Sequence, residues 1–308
     1  MKKRKSSPRS RTRKTPHLIY TLLALVLGLS CHSCADIPSG RKLTAAGVEL
    51  EEFVRELGTA VRDSANTTDS VAEPAAVART GDAGAAFSGC RHLFAGGKPP
   101  VLAPRPTNRA LCYDAFAILH SGESKTAVFV AERLNKASVA DANEERTDRF
   151  FPDARLRSAE RATLDDYKGS GFDRGHMAPA GDMPTTQAMA QSFSLANMVP
   201  QAPEHNRGPW AKSVEAATRK YASRATGYVY VITGPVFVPS IAQSPSIGSG
   251  QVRVPKYLFK LVYDQDKNRA WAHWHLNDKT TRASRPISYS DLVSRTGIEF
   301  LPGLHPVE

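Results

Sequence analysis

The sequence predicts an α+β domain with a mainly antiparallel central sheet flanked by helices. Three features carry that prediction: two pairs of β-prone runs joined across short polar turns, one β-prone run between the pairs, and helical periodicity confined to the remaining segments. In chain order, residues 112–120 and 127–132 read as strands across the turn Ser121-Gly122-Glu123-Ser124-Lys125. Residues 209–223 read as a helix, with Pro209 suited to its first position and Trp210, Val214, Ala217 and Tyr221 on one face. Residues 228–233 are dense in aromatic and β-branched side chains and stop at Gly234-Pro235. Residues 257–263 and 270–276 form a second hairpin across Asp264-Gln265-Asp266-Lys267-Asn268, and a short helix follows over 288–295.

The chain divides into three parts. Residues 1–34 read as an export signal or a lipoprotein-type leader. Their basic run precedes twelve apolar residues, 18–29, too few for a membrane-spanning helix of about 20. Gly28-Leu29-Ser30-Cys31 is a loose lipoprotein box, so lipid on Cys31, a plain cleaved signal and an uncleaved anchor all fit. The expected location is exported: periplasmic, envelope-anchored or secreted. Residues 35–89 hold a short amphipathic pattern (Leu50, Phe53, Val54, Leu57, Val61) and then an Ala/Ser/Thr-rich tether without apolar period. Residues 90–308 carry the globular domain.

Of 308 residues, 41 are Lys or Arg and 30 Asp or Glu, a net +11. Eight of the basic residues lie between Lys2 and Lys14, which leaves 33 against 30 and a body of only +3. A basic binding face in the domain must therefore be a local patch. After export, Cys90 and Cys112 either form a disulfide or remain as two buried thiols.

The richest segment is Gly171-Phe172-Asp173-Arg174-Gly175-His176-Met177-Ala178-Pro179, which sets an acid, a base, a glycine and an imidazole at successive positions. It reads as a catalytic turn. Histidine exchanges a proton near neutrality, arginine matches phosphate, and glycine lets the backbone approach a ligand. Asp173 is suited to orienting polar neighbours, and Arg174 either to touching phosphate or to pairing with an acid. Further along come Asn197, then Asn206 in His205-Asn206-Arg207-Gly208-Pro209-Trp210, then Glu215 and Arg219, four apart on one helical face. Upstream lies Arg146.

Together these motifs resemble the DNA/RNA non-specific endonucleases, and the resemblance runs from about Cys90 to the C-terminus. It implies a ββα-metal nuclease fold holding one divalent ion, Mg2+ with Mn2+ as a substitute, and a nuclease domain over 90–308. His176 is then the general base, Asn206 the metal ligand and Arg146 a phosphate contact. Asn197 supports the site, while Glu215 and Arg219 lie near the metal waters and the scissile phosphate. The implied activity is sugar-non-specific cleavage of DNA and RNA leaving 5′-phosphate ends. Membrane attachment through the N-terminus and a homodimer are compatible with the chain. One departure stands out. The family glutamate follows the tryptophan by four residues, whereas Glu215 follows Trp210 by five, which in a regular helix rotates the side chain by about 100°.

Three rival readings remain. A nucleic-acid binding or uptake protein of the envelope needs no catalysis, but gives no reason for His176 and Asn206 to occur together. A serine hydrolase would use Ser170 or Ser194 with His176, yet neither serine lies in a Gly-x-Ser-x-Gly elbow. A zinc site would pair His176 with His205 in the absence of a His-Glu-x-x-His helix. His273 and His275 in the late hairpin read as structural or solvent-facing.

Overall fold

A computed structural model of the protein describes residues 86–307. The expected leader, the amphipathic pattern and residues 62–85 of the tether lie outside them. The last four residues of the expected tether instead belong to the domain, because Phe87 is buried in its core.

Five antiparallel pairings build a six-stranded sheet in the order β1-β2-β3-β6-β9-β10. Its strands are β1 (Asn108–Cys112), β2 (Phe116–Ser121), β3 (Thr126–Leu134), β6 (Val229–Val236), β9 (Tyr257–Asp264) and β10 (Arg269–Leu276). The strand expected over 112–120 is in fact two, broken at Tyr113–Ala115, where the chain reverses and β1 pairs with β2. The hairpin β2-β3 and the hairpin β9-β10 form as expected. Between β3 and β6 lies a small ribbon of β4 (Asp173–His176) and β5 (Met198–Gln201), and β7 (Ser246–Ile247) pairs with β8 (Val252–Arg253).

Strand alternation assigns each face of the sheet its own core. Phe129, Ala131, Phe259 and Leu261 pack with Phe87, Phe94, Leu292 and Phe300. Val130 and Leu258 turn the other way, onto Met177, Phe193, Trp210 and Val214. The second face carries the site. Glu132 and Lys260 continue it, so a buried carboxylate and a buried ammonium lie beneath the site elements. Phe116, Phe129 and Phe259 are each almost fully buried, and each contributes about 2–3 kcal/mol of apolar transfer.

The helices are α1 (Lys136–Asp141), α2 (Leu164–Tyr167), α3 (Thr186–Ser192), α4 (Pro203–His205), α5 (Ala216–Ala222) and α6 (Tyr289–Thr296). α6 matches the short helix expected late in the chain. Ser288 caps it by accepting from Asp291 N at 3.0 Å, and Gly297 ends it in the left-handed region. The helix expected over 209–223 starts earlier, at Pro203, and changes type on the way. Its Asn206–Glu215 stretch is π-helical, with Gly208 leaving helical backbone just before Pro209. Its buried face is Trp210, Val214, Thr218 and Ala222, whereas Ala217 is exposed and Tyr221 half-buried. The wider turn shifts the face that follows it.

Cys90 and Cys112 are joined, tying the first turn of the domain to the end of β1 across a sequence separation of 22. Closing a loop of that length stabilises a fold by about 3 kcal/mol. The Cys90→Ala/Cys112→Ala double variant is expected to lose about that much in urea unfolding. Non-reducing peptide maps of the wild type are expected to give one cross-linked peptide; two free thiols would refute the bridge.

Candidate active site

The expected catalytic turn is a strand. Asp173–His176 pairs antiparallel with Met198–Gln201, Asp173 opposite Gln201 and His176 opposite Met198, so the two sequence motifs are one hydrogen-bonded ribbon. The density of charge in the motif suggests a loop, but pairing satisfies the backbone and leaves the side chains at the rim. Gly175 serves the protein rather than a ligand: a Cβ there would collide with the Gln201 side chain. Asn197 locks the strand's exit. Its Oδ1 accepts from Ala178 N, and its Nδ2 donates to the carbonyls of Ala178 and Ser192, each at 2.9 Å. Met177 N also reaches Asn197 O at 2.9 Å. Every polar atom of that fully buried amide is therefore used to hold the residues just after His176.

His176 packs against two phenylalanines, 5.0 Å from the Phe193 ring and 5.9 Å from Phe150, which lie 4.9 Å from each other. Phe151 N bonds to Phe193 O at 3.3 Å and Leu195 N to Phe151 O at 2.8 Å, which brings the Arg146–Phe150 segment alongside. The guanidinium of Arg146 stacks 4.9 Å above Phe193, and that of Arg174 4.1 Å above Phe150. Burial, with the positive charges of Arg146 and Arg174, drives the His176 imidazole down to about 3. Its Nε2 is buried without a protein partner. Arg146 also holds Asp148 at 2.7 Å, whereas Arg174 makes no ion pair among the described residues and lines the cavity instead. That cavity, about 590 Å³, is bordered by Arg146, Phe150, Asp173, Arg174, Asn206 and Arg207.

Asp173 is the hinge between strand and helix. Its Oδ2 accepts from Asn206 Nδ2 at 2.9 Å and from Arg207 Nε at 2.8 Å, and its Oδ1 accepts from Arg207 Nη2. With its amide nitrogen committed to Asp173, Asn206 keeps its Oδ1 without a hydrogen-bond donor among the described residues. A single neutral oxygen suits a hard, largely hydrated cation such as magnesium, which needs few protein ligands.

The π-helical stretch resolves the spacing of Glu215. Ala216 N donates to Ala211 O, five residues back, so each turn here takes up one residue more than an α-turn. Glu215 thus follows Trp210 by one wide turn and stays on the site side, within electrostatic reach of Arg146, Asp182, Arg219 and Lys260. The rotation expected for a regular helix does not occur. Burial, reinforced by Asp182 and opposed by Lys260, Arg219 and Arg146, pushes the Glu215 carboxyl up to about 7. Arg219 is held by Asp182, at 2.8 Å, rather than by Glu215.

A family model for the DNA/RNA non-specific endonucleases matches residues 101–306. The chain belongs to that family. It is 34% identical over 168 residues to the mitochondrial nuclease EXOG of Xenopus laevis, covering 52% of this chain and 44% of that protein. It is 35% identical over 163 residues to human mitochondrial endonuclease G (49% and 51%) and 31% over 208 residues to nuclease C1 of Cunninghamella echinulata var. echinulata (62% and 82%). The chain thus spans about half the length of the two mitochondrial relatives. A crystal structure of an EndoG/EndoGI complex shares the fold at a TM-score of 0.58, with 24% identity over 64% of this chain and 86% of that one.

The endonuclease-family site includes residues that the motifs do not announce. Asp182 fixes Arg219, and Phe150 and Phe193 frame His176. Lys260 donates to Thr233 Oγ1 at 2.7 Å and to Met177 O at 3.4 Å, and Glu132 lies buried with neither carboxylate oxygen bonded to protein. Burial, with Asp182 nearby, pushes the Glu132 carboxyl up. Their signal in the sequence is charge inside an apolar strand, Glu132 beside Arg133 in Ala127–Leu134 and Lys260 alone in Tyr257–Tyr263. Asn277 is silent in the sequence, yet it accepts from Ala202 N at 2.8 Å and donates to Pro200 O at 2.9 Å, bolting the end of β5 to the sheet.

The rival constellations do not assemble. Ser170 bonds to Tyr167 O and Phe172 N, and Ser194 to Tyr113 and Ala196 N, so neither serine engages His176. His205 bonds through one ring nitrogen to Gln201, at 3.0 Å, and through the other to His275, at 3.2 Å, which leaves it no lone pair to share with His176. His275 is structural, as expected.

Because the folded value of His176 lies below its ordinary 6.5, the folded state binds fewer protons than the unfolded one. Its contribution to stability is complete above 6.5 and is lost as pH falls toward about 3. Nitrogen-15 NMR is expected to find this imidazole neutral at pH ~5, with Arg146→Ala raising its midpoint. A midpoint near 6.5 in the wild type would contradict the burial argument.

Proposed function

We propose that the chain is a sugar-non-specific endonuclease that hydrolyses phosphodiester bonds of DNA and RNA with one divalent ion and His176 as general base. One observation carries this reading: an imidazole with its buried Nε2 unpartnered among the described residues, on the same ribbon as Asp173, which accepts from the amide of Asn206. Asn206 would hold the ion, magnesium first and manganese as a substitute, and the bound ion would stabilise negative charge on the phosphate and on the departing oxygen. His176 takes the proton of the attacking water, since its depressed value keeps it unprotonated across the neutral range. Arg146 and Arg174 stand on the two phenylalanine rings that pack against it and grip the phosphate. Arg219, fixed by Asp182, and Glu215 border the same centre from the helix. Contacts to phosphate and sugar position the strand without reading bases, which supports action on both DNA and RNA.

The leader pattern and the Cys90–Cys112 bridge both support export to an oxidising compartment, with the product periplasmic, envelope-anchored or secreted. The names of the relatives, nuclease EXOG, endonuclease G and nuclease C1, support the activity and leave the biological role open.

The test is nicking of supercoiled plasmid by the full chain. Magnesium-dependent nicking is expected, abolished by EDTA. His176→Ala and Asn206→Ala are each expected to lower it about 10²–10⁴-fold with unchanged circular dichroism. End-labelling is expected to reveal 5′-phosphates. Retention of intact DNA in magnesium by the well-folded wild type would replace this reading with the non-catalytic binding protein.

A further inference from the structure

A second concave surface lies behind the helix that carries Glu215 and Arg219. α5 turns Arg219 toward Asp182, while Lys220, Tyr221 and Arg224 face the opposite direction. There they meet β10, which ends the six-stranded sheet. Two adjoining cavities of about 510 and 330 Å³ share Tyr221, Trp271 and Pro286. Each is large enough for a ligand-sized group.

The lining chemistry is distinctive. Lys220, Arg224, Arg269 and Arg285 border the two cavities, and among the described residues no carboxylate does. None of the four has an acid within ion-pair distance among the described residues. The catalytic cavity, by contrast, mixes Arg146, Lys168, Arg174 and Arg207 with Asp148, Asp165 and Asp173. In a body of nearly balanced charge, the groove is therefore the more one-sided of the two surfaces. Its floor is aromatic. Trp271 and Tyr221 meet edge to face at 4.8 Å, and the Tyr221 hydroxyl is anchored to Asp264 at 2.6 Å and to Lys267 at 3.2 Å. The acid that anchors Tyr221, Asp264, is itself paired with Lys267 at 3.4 Å.

We propose that this groove is a second nucleic-acid site, which holds a single-stranded stretch of substrate away from the metal centre. A base stacks on Trp271, with the Tyr221 ring edge to face beside it, and flanking phosphates lie on Lys220, Arg224, Arg269 and Arg285. Fixed aromatic faces with unpaired cations around them are what a strand without base specificity needs. A duplex keeps its bases stacked and would leave the aromatic floor unused. A second copy of the chain, placed across the groove by a two-fold axis, would set four cations against their own images. The assignment rests on the reading of the domain as acting on nucleic acid.

The test is binding of a fluorescein-labelled thymidylate 20-mer to the full chain in EDTA, followed by anisotropy over a salt series. Arg269→Ala/Arg285→Ala is expected to weaken binding about tenfold and to lower the log–log salt slope by about 1.4, the share of two phosphates. Trp271→Ala is expected to lose about tenfold and Trp271→Phe much less, which separates stacking from packing. Magnesium-dependent cleavage of a dinucleotide, too short to reach the groove, is expected to be the same in wild type and double variant. Unchanged affinity and slope in the double variant overturn the proposal. So does sedimentation equilibrium that finds a dimer in the wild type and a monomer in the variant. If the wild type cleaves nothing but the binding pattern holds, the second site stands and the catalytic reading alone fails.

Discussion

Four residues of antiparallel pairing hold the site together. Asp173–His176 against Met198–Gln201 makes one ribbon of the His176 motif and the segment that leads into the helix of Asn206. Without that ladder, Asn206 and Asp173 would be two loop residues 33 apart in sequence; with it, a carboxylate at the start of one strand aligns the amide just past the other. Asn197 extends the constraint by spending all three of its side-chain hydrogen bonds on the backbone around His176. Its loss would be structural first and chemical second, since buried orphaned amides and carbonyls cost about 1–3 kcal/mol each.

Beneath the ribbon, the sheet supplies charge rather than further apolar packing. Lys260 reaches the carbonyl that follows His176, and Glu132, Asp182, Arg219 and Glu215 share the same low-dielectric region. A buried charge is tolerated only when others compensate it. The cluster as a whole therefore fixes Arg219 and leaves Glu215 with a carboxyl poised near neutrality. Above the ribbon, the order is reversed. Two cationic guanidiniums stand on aromatic rings around an imidazole kept neutral by burial and by their own positive charge.

A single helical run divides the two surfaces. Its wide-turned first part keeps Glu215 aimed at the site despite the additional residue, and α5 then offers Arg219 to one side and Lys220, Tyr221 and Arg224 to the other. The π turn costs hydrogen-bond quality locally, but it preserves an arrangement that a regular helix of the same sequence would lose.

The sequence by itself determined the motifs, the family and five of the six strands of the central sheet, because strand alternation and short motifs are local properties that neighbouring residues encode. It also specified that Trp210 and Glu215 lie on one helical run, which the structure extends back past Asn206 to Pro203. Only the tertiary structure decided that Asp173–His176 is a strand, that Arg219 pairs with Asp182 across 37 residues, and that Arg207 joins Asp173 across 34. It likewise decided that Glu215 keeps its aim. The physical reason is common to these cases. Which acid an arginine finds, and whether a helix widens by one residue, depends on what the sheet places opposite. No periodicity along the chain carries that information.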